Sequence, residues 1–309
     1  MPFTLSHAAA VLPVLRRTGT ARGPLVASAL VAGSFAPDLT YYADSVVPGA
    51  MLFGDVTHGP AGMLTVDMLV TALLVGGWLL LREPLVALLP AAWRGRVYAA
   101  VRGRPWPAGG RPLAALAVWF YVSAVLGALT HIVWDAFTHP GRWGTRLFPV
   151  LNEVVGGFPL CTYVQYGTSA LALALIGWFL WTALRQAPDA PAPAGLPVLD
   201  GGRRLLGVAL LALCLAGGAV HRTLRARAEF GALAVTWFDY VPTVLFGAGA
   251  GLALGLPLYA VAVRLLHRRT PRADRTAAYD HSGARPQTAT GAARGRGRRT
   301  RGPGGEDAA

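Results

Sequence analysis

The segment GALTHIVWDAFTHP, residues 127–140, carries three side chains suited to metal or acid–base chemistry. His131, Asp135 and His139 follow one another at intervals of four residues, which places them on one face of an α-helix at about 100° per residue. Partners at this spacing have Cβ atoms about 6 Å apart, so His131 and Asp135 can reach the same metal ion. The alternative for this pair is a structural hydrogen bond between helices. His139 lies about 12 Å along the axis from His131, and Pro140 ends the helix, so we expect His139 to turn elsewhere or to serve a second ion.

Other candidates lie near the predicted ends of apolar segments. His7 occurs in MPFTLSHAAA, Asp38 in SFAPDLTYY and His58 in GDVTHGPAG. Judged singly, each is equally well explained as an ordinary polar residue at a membrane interface. Asp67 lies about two turns into the first long apolar segment, where a carboxylate is costly and therefore a functional candidate. It could bind a metal, hydrogen-bond to a ligating histidine or pack helices together.

The composition is typical of an integral membrane protein. The 309 residues are 54% hydrophobic and only 14% charged, and the mean hydropathy is +0.45. Soluble domains carry roughly a quarter charged residues, so neither an ordinary soluble enzyme nor a disordered chain fits. With only two cysteines, Cys161 and Cys214, in or beside apolar segments, a disulfide framework or a cysteine zinc site is not expected.

The apolar residues form blocks of about 20, the length that crosses a hydrocarbon core about 30 Å thick. We therefore predict an all-α polytopic membrane protein with five transmembrane helices near 62–81, 113–137, 160–184, 204–221 and 241–266. Before them we expect an amphipathic helix over 5–16, with Thr4 or Ser6 as its cap, and a short re-entrant or interfacial segment over 24–36. The resulting division is an N-terminal helical segment (1–61), a bundle (62–267) and a disordered basic tail (268–309).

The arginines predict the orientation, since the chain contains no lysine. The 82–112 loop holds six arginines against one glutamate, and short arginine-rich loops stay in the cytoplasm. The tail, with eleven arginines from Arg264 onward against four acidic residues, should also be cytoplasmic. Alternation then puts 138–159 and 222–240 outside a cell membrane, although the arginines of 222–240 do not favour this. All the candidate residues fall at the outer side.

The expected partner is membrane lipid, and no specific nucleic acid is expected. A solvated tail is favoured over one that contacts anionic lipid or RNA.

The motifs MPFTLSHAAA, GSFAPDLTYY, THGPAGMLTVD, GALTHIVWDAFTH and VQYGTSALAL resemble, in that order, a bacterial membrane family known as domain of unknown function 4184. The resemblance covers roughly residues 1–260. This pattern is similar to membrane-bound proteins described as metal-dependent hydrolases and, more remotely, to zinc-dependent phospholipase C. The resemblance implies one or two divalent ions, with zinc as the expected metal, and five candidate ligands: His7, Asp38, His58, His131 and Asp135. It also draws attention to Gln165 and Ser169, which together with Asp67 and His139 could support the ligands.

The resulting hypothesis is a metal-dependent hydrolase of a phosphoester, lipid or lipid-linked, at the extracytoplasmic face. Asp38 and Asp135 would serve catalysis by holding the metal or positioning water. Arg142 and Arg146 could hold the phosphate, as could the arginines of 222–240. The alternative is a non-enzymatic membrane protein in which the His/Asp cluster forms an ion or proton path or a structural scaffold. A metal site requires His7 and His58 close to His131 in space, whereas a path would line polar groups across the bilayer.

Overall fold

The computed structural model describes residues 3–103, 112–230 and 237–269, and these residues are predominantly helical. Their α-helices are α1 (Ala27–Gly33), α2 (Leu39–Ala43), α3 (Gly54–Thr57), α4 (Pro60–Leu64), α5 (Val66–Ala87), α6 (Ala91–Arg102), α7 (Leu113–Thr138), α8 (Trp143–Leu147), α9 (Leu160–Gln186), α10 (Gly201–Phe230) and α11 (Trp237–Arg269). Four 3₁₀ helices are found at Thr4–Val14, Ala36–Asp38, Ala50–Phe53 and Pro149–Asn152. Two short strands, β1 (Val154–Val155) and β2 (Phe158–Pro159), form an antiparallel hairpin.

Five of these helices, α5, α7, α9, α10 and α11, are long and apolar enough to cross a membrane. This confirms the predicted all-α fold and the five spanning segments. Most helix ends extend beyond the apolar blocks, whereas α5 begins at Val66, four residues after the predicted start. The 82–112 loop contains a helix of its own, α6, which follows Pro90. Almost all of the tail that was predicted to be disordered lies outside the described residues.

The N-terminal segment is a 3₁₀ helix, Thr4–Val14, where an amphipathic helix was expected. With three residues per turn, side chains at positions i and i+3 eclipse one another. Thr4 and His7 therefore point to the same side, and both are buried. Neither Thr4 nor Ser6 caps the helix: the Thr4 hydroxyl bonds to Asp38, and the Ser6 hydroxyl donates to the carbonyl of Phe3.

The short helix α1 packs between α5 and α7, inside the bundle. Gly33 of α1 and Gly127 of α7 allow the close approach, because a Cβ at either position would collide with backbone of the other helix. Ala29 and Ala124 are fully buried in the same interface. Small residues thus bring the backbone after α1 within reach of the His131 side chain.

Helices α10 and α11 also meet through small residues. Gly247, Gly251 and Gly255 repeat every four residues along α11, and a Cβ at Gly251 or Gly255 would collide with Cys214 of α10. Such small-xxx-small stripes let membrane helices approach closely enough for strong van der Waals packing. At the other end of α11, the hydroxyl of Tyr259 donates to the carbonyl of Pro84 in α5, at 2.8 Å.

The packing predicts opposite outcomes for two glycine-to-alanine substitutions. Gly127→Ala should destabilise the protein by about 1–3 kcal/mol, because the new methyl group overpacks the contact with α1. Gly177→Ala on α9 should be neutral or stabilising by up to about 1 kcal/mol, because nothing lies within 4 Å of its Cβ position and alanine favours helix. Thermal unfolding of both variants in one detergent measures the difference. Equal midpoints would contradict the assigned α1–α7 contact.

Candidate metal centre

Four buried side chains from separate parts of the chain meet at one end of the bundle. Asp38, His58, His131 and Asp135 each offer one ligand atom, and these four atoms lie within 4.8 Å of one another. Two are imidazole nitrogens and two are carboxylate oxygens, a donor set found in protein zinc sites. This group could therefore hold a metal ion, and we call it the His/Asp group.

Helix α7 supplies two members of the His/Asp group from one face. His131 and Asp135 are one turn apart near its end, and His131 Nε2 lies 3.5 Å from Asp135 Oδ2. The helix stops at Thr138, and His139 adopts an extended backbone. The i, i+4 spacing read from the sequence thus gives the juxtaposition that it predicts.

Asp38 lies opposite, at the end of the Ala36–Asp38 3₁₀ helix. Its Oδ1 atom is 3.5 Å from His131 Nε2 and 3.6 Å from His58 Nε2. Its Oδ2 atom accepts a hydrogen bond of 2.5 Å from the Thr4 hydroxyl. That bond leaves Oδ1 as the oxygen directed at the two imidazoles.

His58 completes the group immediately after α3. Its Nε2 atom is 3.5 Å from Asp135 Oδ2. The preceding residue, Thr57, donates its hydroxyl hydrogen to the carbonyl of Pro37 at 2.8 Å. This bond ties α3 to the turn that carries Asp38, so both side chains are positioned by one local contact.

Backbone carbonyls determine which imidazole nitrogen faces the carboxylates. Nδ1 of His131 lies 2.7 Å from the carbonyl of Ser34, and Nδ1 of His58 lies 2.9 Å from the carbonyl of Gly54. A carbonyl only accepts hydrogen bonds, so each Nδ1 carries the proton and a neutral ring presents its lone pair at Nε2. Ligating histidines are commonly oriented in this way by a hydrogen bond to the other nitrogen.

The separations inside the group are too long for good hydrogen bonds. All four nitrogen–oxygen distances between the two histidines and the two aspartates are 3.5–3.6 Å. Among the described residues, Nε2 of His131 and Oδ1 of Asp135 have no hydrogen-bond partner although both are buried. Buried polar atoms are nearly always paired, so this arrangement favours a bound group between them.

His7 lies directly beside the group. Its ring stacks on that of His131 with centroids 3.7 Å apart, and its Nε2 atom is 3.5 Å from Asp135 Oδ1. The side chain is fully buried, and neither ring nitrogen has a hydrogen-bond partner among the described residues. Burial, together with the nearby His131, lowers the pKa of His7 to about 3, so the ring is neutral at physiological pH.

The electrostatics of the group favour a cation. Burial alone would raise the pKa of Asp38, but several nearby positive charges, His131 among them, lower it well below its usual value. Burial opposes the charged form of His58, yet the neighbouring Asp135 and Asp38 raise its pKa above the ordinary value. Two ionised carboxylates in a dry pocket attract positive charge, whether a proton on histidine or a metal ion.

The other expected site residues lie around this centre in different roles. His139 is outside the group, with Nδ1 3.7 Å from Asp135 Oδ2; its Nε2 is 3.4 Å from the side-chain amide of Gln165. Ser169 accepts a hydrogen bond of 3.3 Å from Ser6, next to His7. Asp67 is buried at the start of α5, and neither carboxylate oxygen has a hydrogen-bond partner among the described residues.

The chain belongs to the family described as Domain of unknown function (DUF4184), which matches residues 1–261. The matched stretch includes every residue of the His/Asp group together with His7, and it ends near the last turns of α11. Comparisons with curated proteins and with solved structures found no match.

The arginines of this DUF4184 chain that were considered for phosphate binding differ in whether they pair with other parts of the chain. Arg225 forms an ion pair of 2.8 Å with Asp44, and Arg222 donates to the carbonyl of Tyr41 at 2.7 Å. They thus join α10 to the segment after Asp38. Arg142 and Arg146, by contrast, lie just past His139, where Arg146 donates to the carbonyl of Gly141 and Arg142 is half-buried.

Several supporting residues were not identified from the sequence. Thr4 was read as a helix cap, although its hydroxyl binds Asp38. The carbonyls of Ser34 and Gly54 have no sequence signature, because every residue carries that group. Asp44 was overlooked; an acidic residue close to Asp38 and opposite an arginine-rich helix end could have suggested its ion pairs.

Proposed function

We propose that this protein is a membrane-bound metal-dependent hydrolase that acts on a phosphoester, lipid or lipid-linked, at the extracytoplasmic face. The observation that carries the proposal is the convergence of two oriented imidazoles and two carboxylates in one buried group. Side chains from α7, from the turn at Asp38 and from the end of α3 meet there.

Zinc is the ion that best fits this donor set. A tetrahedral zinc ion with bonds of about 2.0–2.1 Å separates its ligand atoms by about 3.3–3.4 Å. The four nitrogen–oxygen separations of 3.5–3.6 Å are close to that value, and the two remaining separations, between the two nitrogens and between the two oxygens, are at most 4.8 Å. Among the described residues, the neighbouring groups that could orient these ligands are present as well: Thr4 on Asp38, and two carbonyls on the histidines.

If a zinc ion held by these residues took up a water molecule as a fifth ligand, or in place of one carboxylate, it would lower the pKa of that water to about 7 and polarise a phosphoryl oxygen. The chain supplies the surroundings that such chemistry requires. Burial removes competing water from the group and strengthens every electrostatic interaction within it. Thr4 fixes which oxygen of Asp38 faces the centre.

His7 supports a second ion position or the binding of a water molecule. Its Nε2 atom faces Oδ1 of Asp135, the oxygen that the four-atom group does not use. A carboxylate that uses its two oxygens for two ions is the bridge found in many two-metal phosphoesterases. One or two ions are therefore consistent with the donors.

The position of the arginines supports a phosphoester as substrate. Arg142 follows His139 by three residues and is half-buried. Guanidinium groups bind phosphate oxygens through paired hydrogen bonds.

The proposed extracytoplasmic location rests on the arginines of the 82–112 loop and of the tail. These arginines favour a cytoplasmic position for that end of the bundle, which leaves the His/Asp group at the opposite end.

The alternative, a non-enzymatic ion or proton path, has one supporting observation. Asp67 and Thr71 lie one turn apart on α5, both buried and both without side-chain hydrogen-bond partners among the described residues. The next residue on that face, Val75, is buried and apolar. The row of polar groups thus ends after two positions, which favours the metal centre over a path through the bilayer.

Removing one ligand should abolish metal binding. We expect zinc at one or two equivalents in detergent-purified wild type, and a loss in His131→Ala and in Asp135→Ala, because the remaining donors leave the ion incompletely coordinated. His267→Ala, which removes an exposed histidine of α11, is the matched control and should retain the metal. Inductively coupled plasma mass spectrometry gives the stoichiometry. Equal metal content in all variants would refute the ligand assignment.

The arginine assignment predicts an effect on substrate binding alone. Arg142→Gln should raise KM for a phosphodiester about tenfold, because a charge-assisted hydrogen bond to phosphate contributes roughly 1.5–3 kcal/mol. The zinc content should not change. Steady-state kinetics with bis(p-nitrophenyl) phosphate and with a short-chain phospholipid measure this. An unchanged KM on both substrates, or a loss of zinc, would exclude Arg142 as the phosphate contact.

A further inference from the structure

Beside the His/Asp group, the connecting segment 46–56 exposes a run of large apolar side chains. Leu52 is 78% exposed and Phe53 is 62% exposed. Val46, Val47, Met51 and Val56 are also exposed. Asp55 is the segment's one charged residue. Soluble surfaces rarely expose so many large apolar side chains within one short segment, which favours a partner surface for it.

A second segment, residues 143–155, shows the same property. It contains α8, the Pro149–Asn152 3₁₀ helix and β1. Leu147 is 65% exposed and Val154 is 68% exposed. Trp143, Phe148, Val150 and Val155 are at least half exposed, while Arg146 and Glu153 are its charged residues.

Both segments are held rigidly with these side chains outward. In the first, Gly54 packs against the ring of Tyr41, where a Cβ would lie 2.7 Å from the hydroxyl oxygen. In the second, Gly156 and Gly157 form the hairpin turn with positive φ angles, and Tyr163 of α9 donates to the carbonyl of Val155 at 2.7 Å. The exposed residues are therefore presented by folded structure.

Both segments are linked to the His/Asp group through short contacts. Phe53 immediately precedes Gly54, whose carbonyl orients His58. In the second segment, Thr145 donates to the carbonyl of His139, at the end of the helix that carries Asp135. In the first segment the exposed Phe53 is therefore adjacent to the residue that orients His58. In the second, the exposed Trp143 and Leu147 are two residues from Thr145.

We propose that segments 46–56 and 143–155, both linked to the His/Asp group, enter the lipid leaflet. The apolar surface of the second segment continues onto α9, because Tyr163, whose hydroxyl donates to the carbonyl of Val155, is itself about half exposed. The second segment also carries Trp143 and Arg146, a combination typical of the membrane interface. The arginine complements the anionic phosphate of a lipid headgroup.

The position of the two segments in the leaflet indicates the substrate class; this inference rests on the proposed hydrolase function. With both segments in the leaflet, the group lies near the level of the headgroup ester and phosphate bonds, and His58, at 9% exposed, is its least buried member. A substrate arriving laterally keeps its acyl chains in the leaflet throughout. The favoured substrate is therefore a membrane lipid, in preference to a water-soluble phosphoester.

Spin labels measure the leaflet contact directly. In a Cys161→Ala, Cys214→Ala background, we would introduce Leu52→Cys, Val154→Cys and, as control, Val198→Cys, label each with a nitroxide and place the full chain in phospholipid nanodiscs. Val198 is 72% exposed and lies in the Pro-rich segment before α10. At positions 52 and 154 we expect collisions with oxygen to exceed those with a water-soluble nickel chelate; at 198 we expect the reverse.

Two results would overturn the leaflet contact. One is nickel accessibility at 52 and 154 equal to that at 198. The other is a label immobilised by a second copy, recognised because mobility is restored in nanodiscs that hold one chain. The two proposals can fail separately. If the labels at positions 52 and 154 contact lipid but the protein binds no zinc, only the hydrolase proposal is refuted. If those labels are exposed to water in a protein that binds zinc and hydrolyses bis(p-nitrophenyl) phosphate, only the leaflet contact and the lipid preference are refuted.

Discussion

The burial of two carboxylates against each other is the constraint on which this structure depends. Asp38 and Asp135 are both almost completely removed from solvent, and each faces the same two imidazoles. An ionised carboxylate in an apolar interior is very costly unless a positive charge compensates it. Protonated histidines or a metal ion can provide that charge. The carbonyls at both Nδ1 atoms leave Nε2 of each ring directed at the centre, where it can carry a proton or, in the neutral ring, bind a metal ion.

The surrounding fold serves to keep these groups in place. The 3₁₀ helix at the N-terminus brings Thr4 and His7 to one side, where one binds Asp38 and the other lies beside Asp135. The glycine contacts between α1 and α7 bring the carbonyl of Ser34 to His131. The pairing of Asp44 with two arginines of α10 holds the chain just after Asp38. In each case, a ligand of the His/Asp group is held in place by a segment that supplies no ligand itself.

The spanning helices and the His131–Asp135 pair could be predicted from the sequence, because both follow from local periodicity and segment length. Placing His7, Asp38 and His58 at the same end required a topology deduced from arginine counts and a family resemblance. The supporting contacts could not be predicted in this way. The orienting carbonyls belong to the backbone, and the hydrogen bond from Thr4 to Asp38 depends on a 3₁₀ helix where amphipathic periodicity indicated an α-helix. His139 illustrates the limit of periodicity: it shares the spacing of His131 and Asp135 but leaves the helix before its ring can join them.

Zinc K-edge X-ray absorption on the zinc-loaded full chain tests most directly whether the four groups surround one ion. The account predicts about four nitrogen and oxygen neighbours at roughly 2.0–2.1 Å, with the outer-shell scattering of imidazole rings. A sulfur neighbour near 2.3 Å, or a shell of oxygens without imidazole, would contradict it.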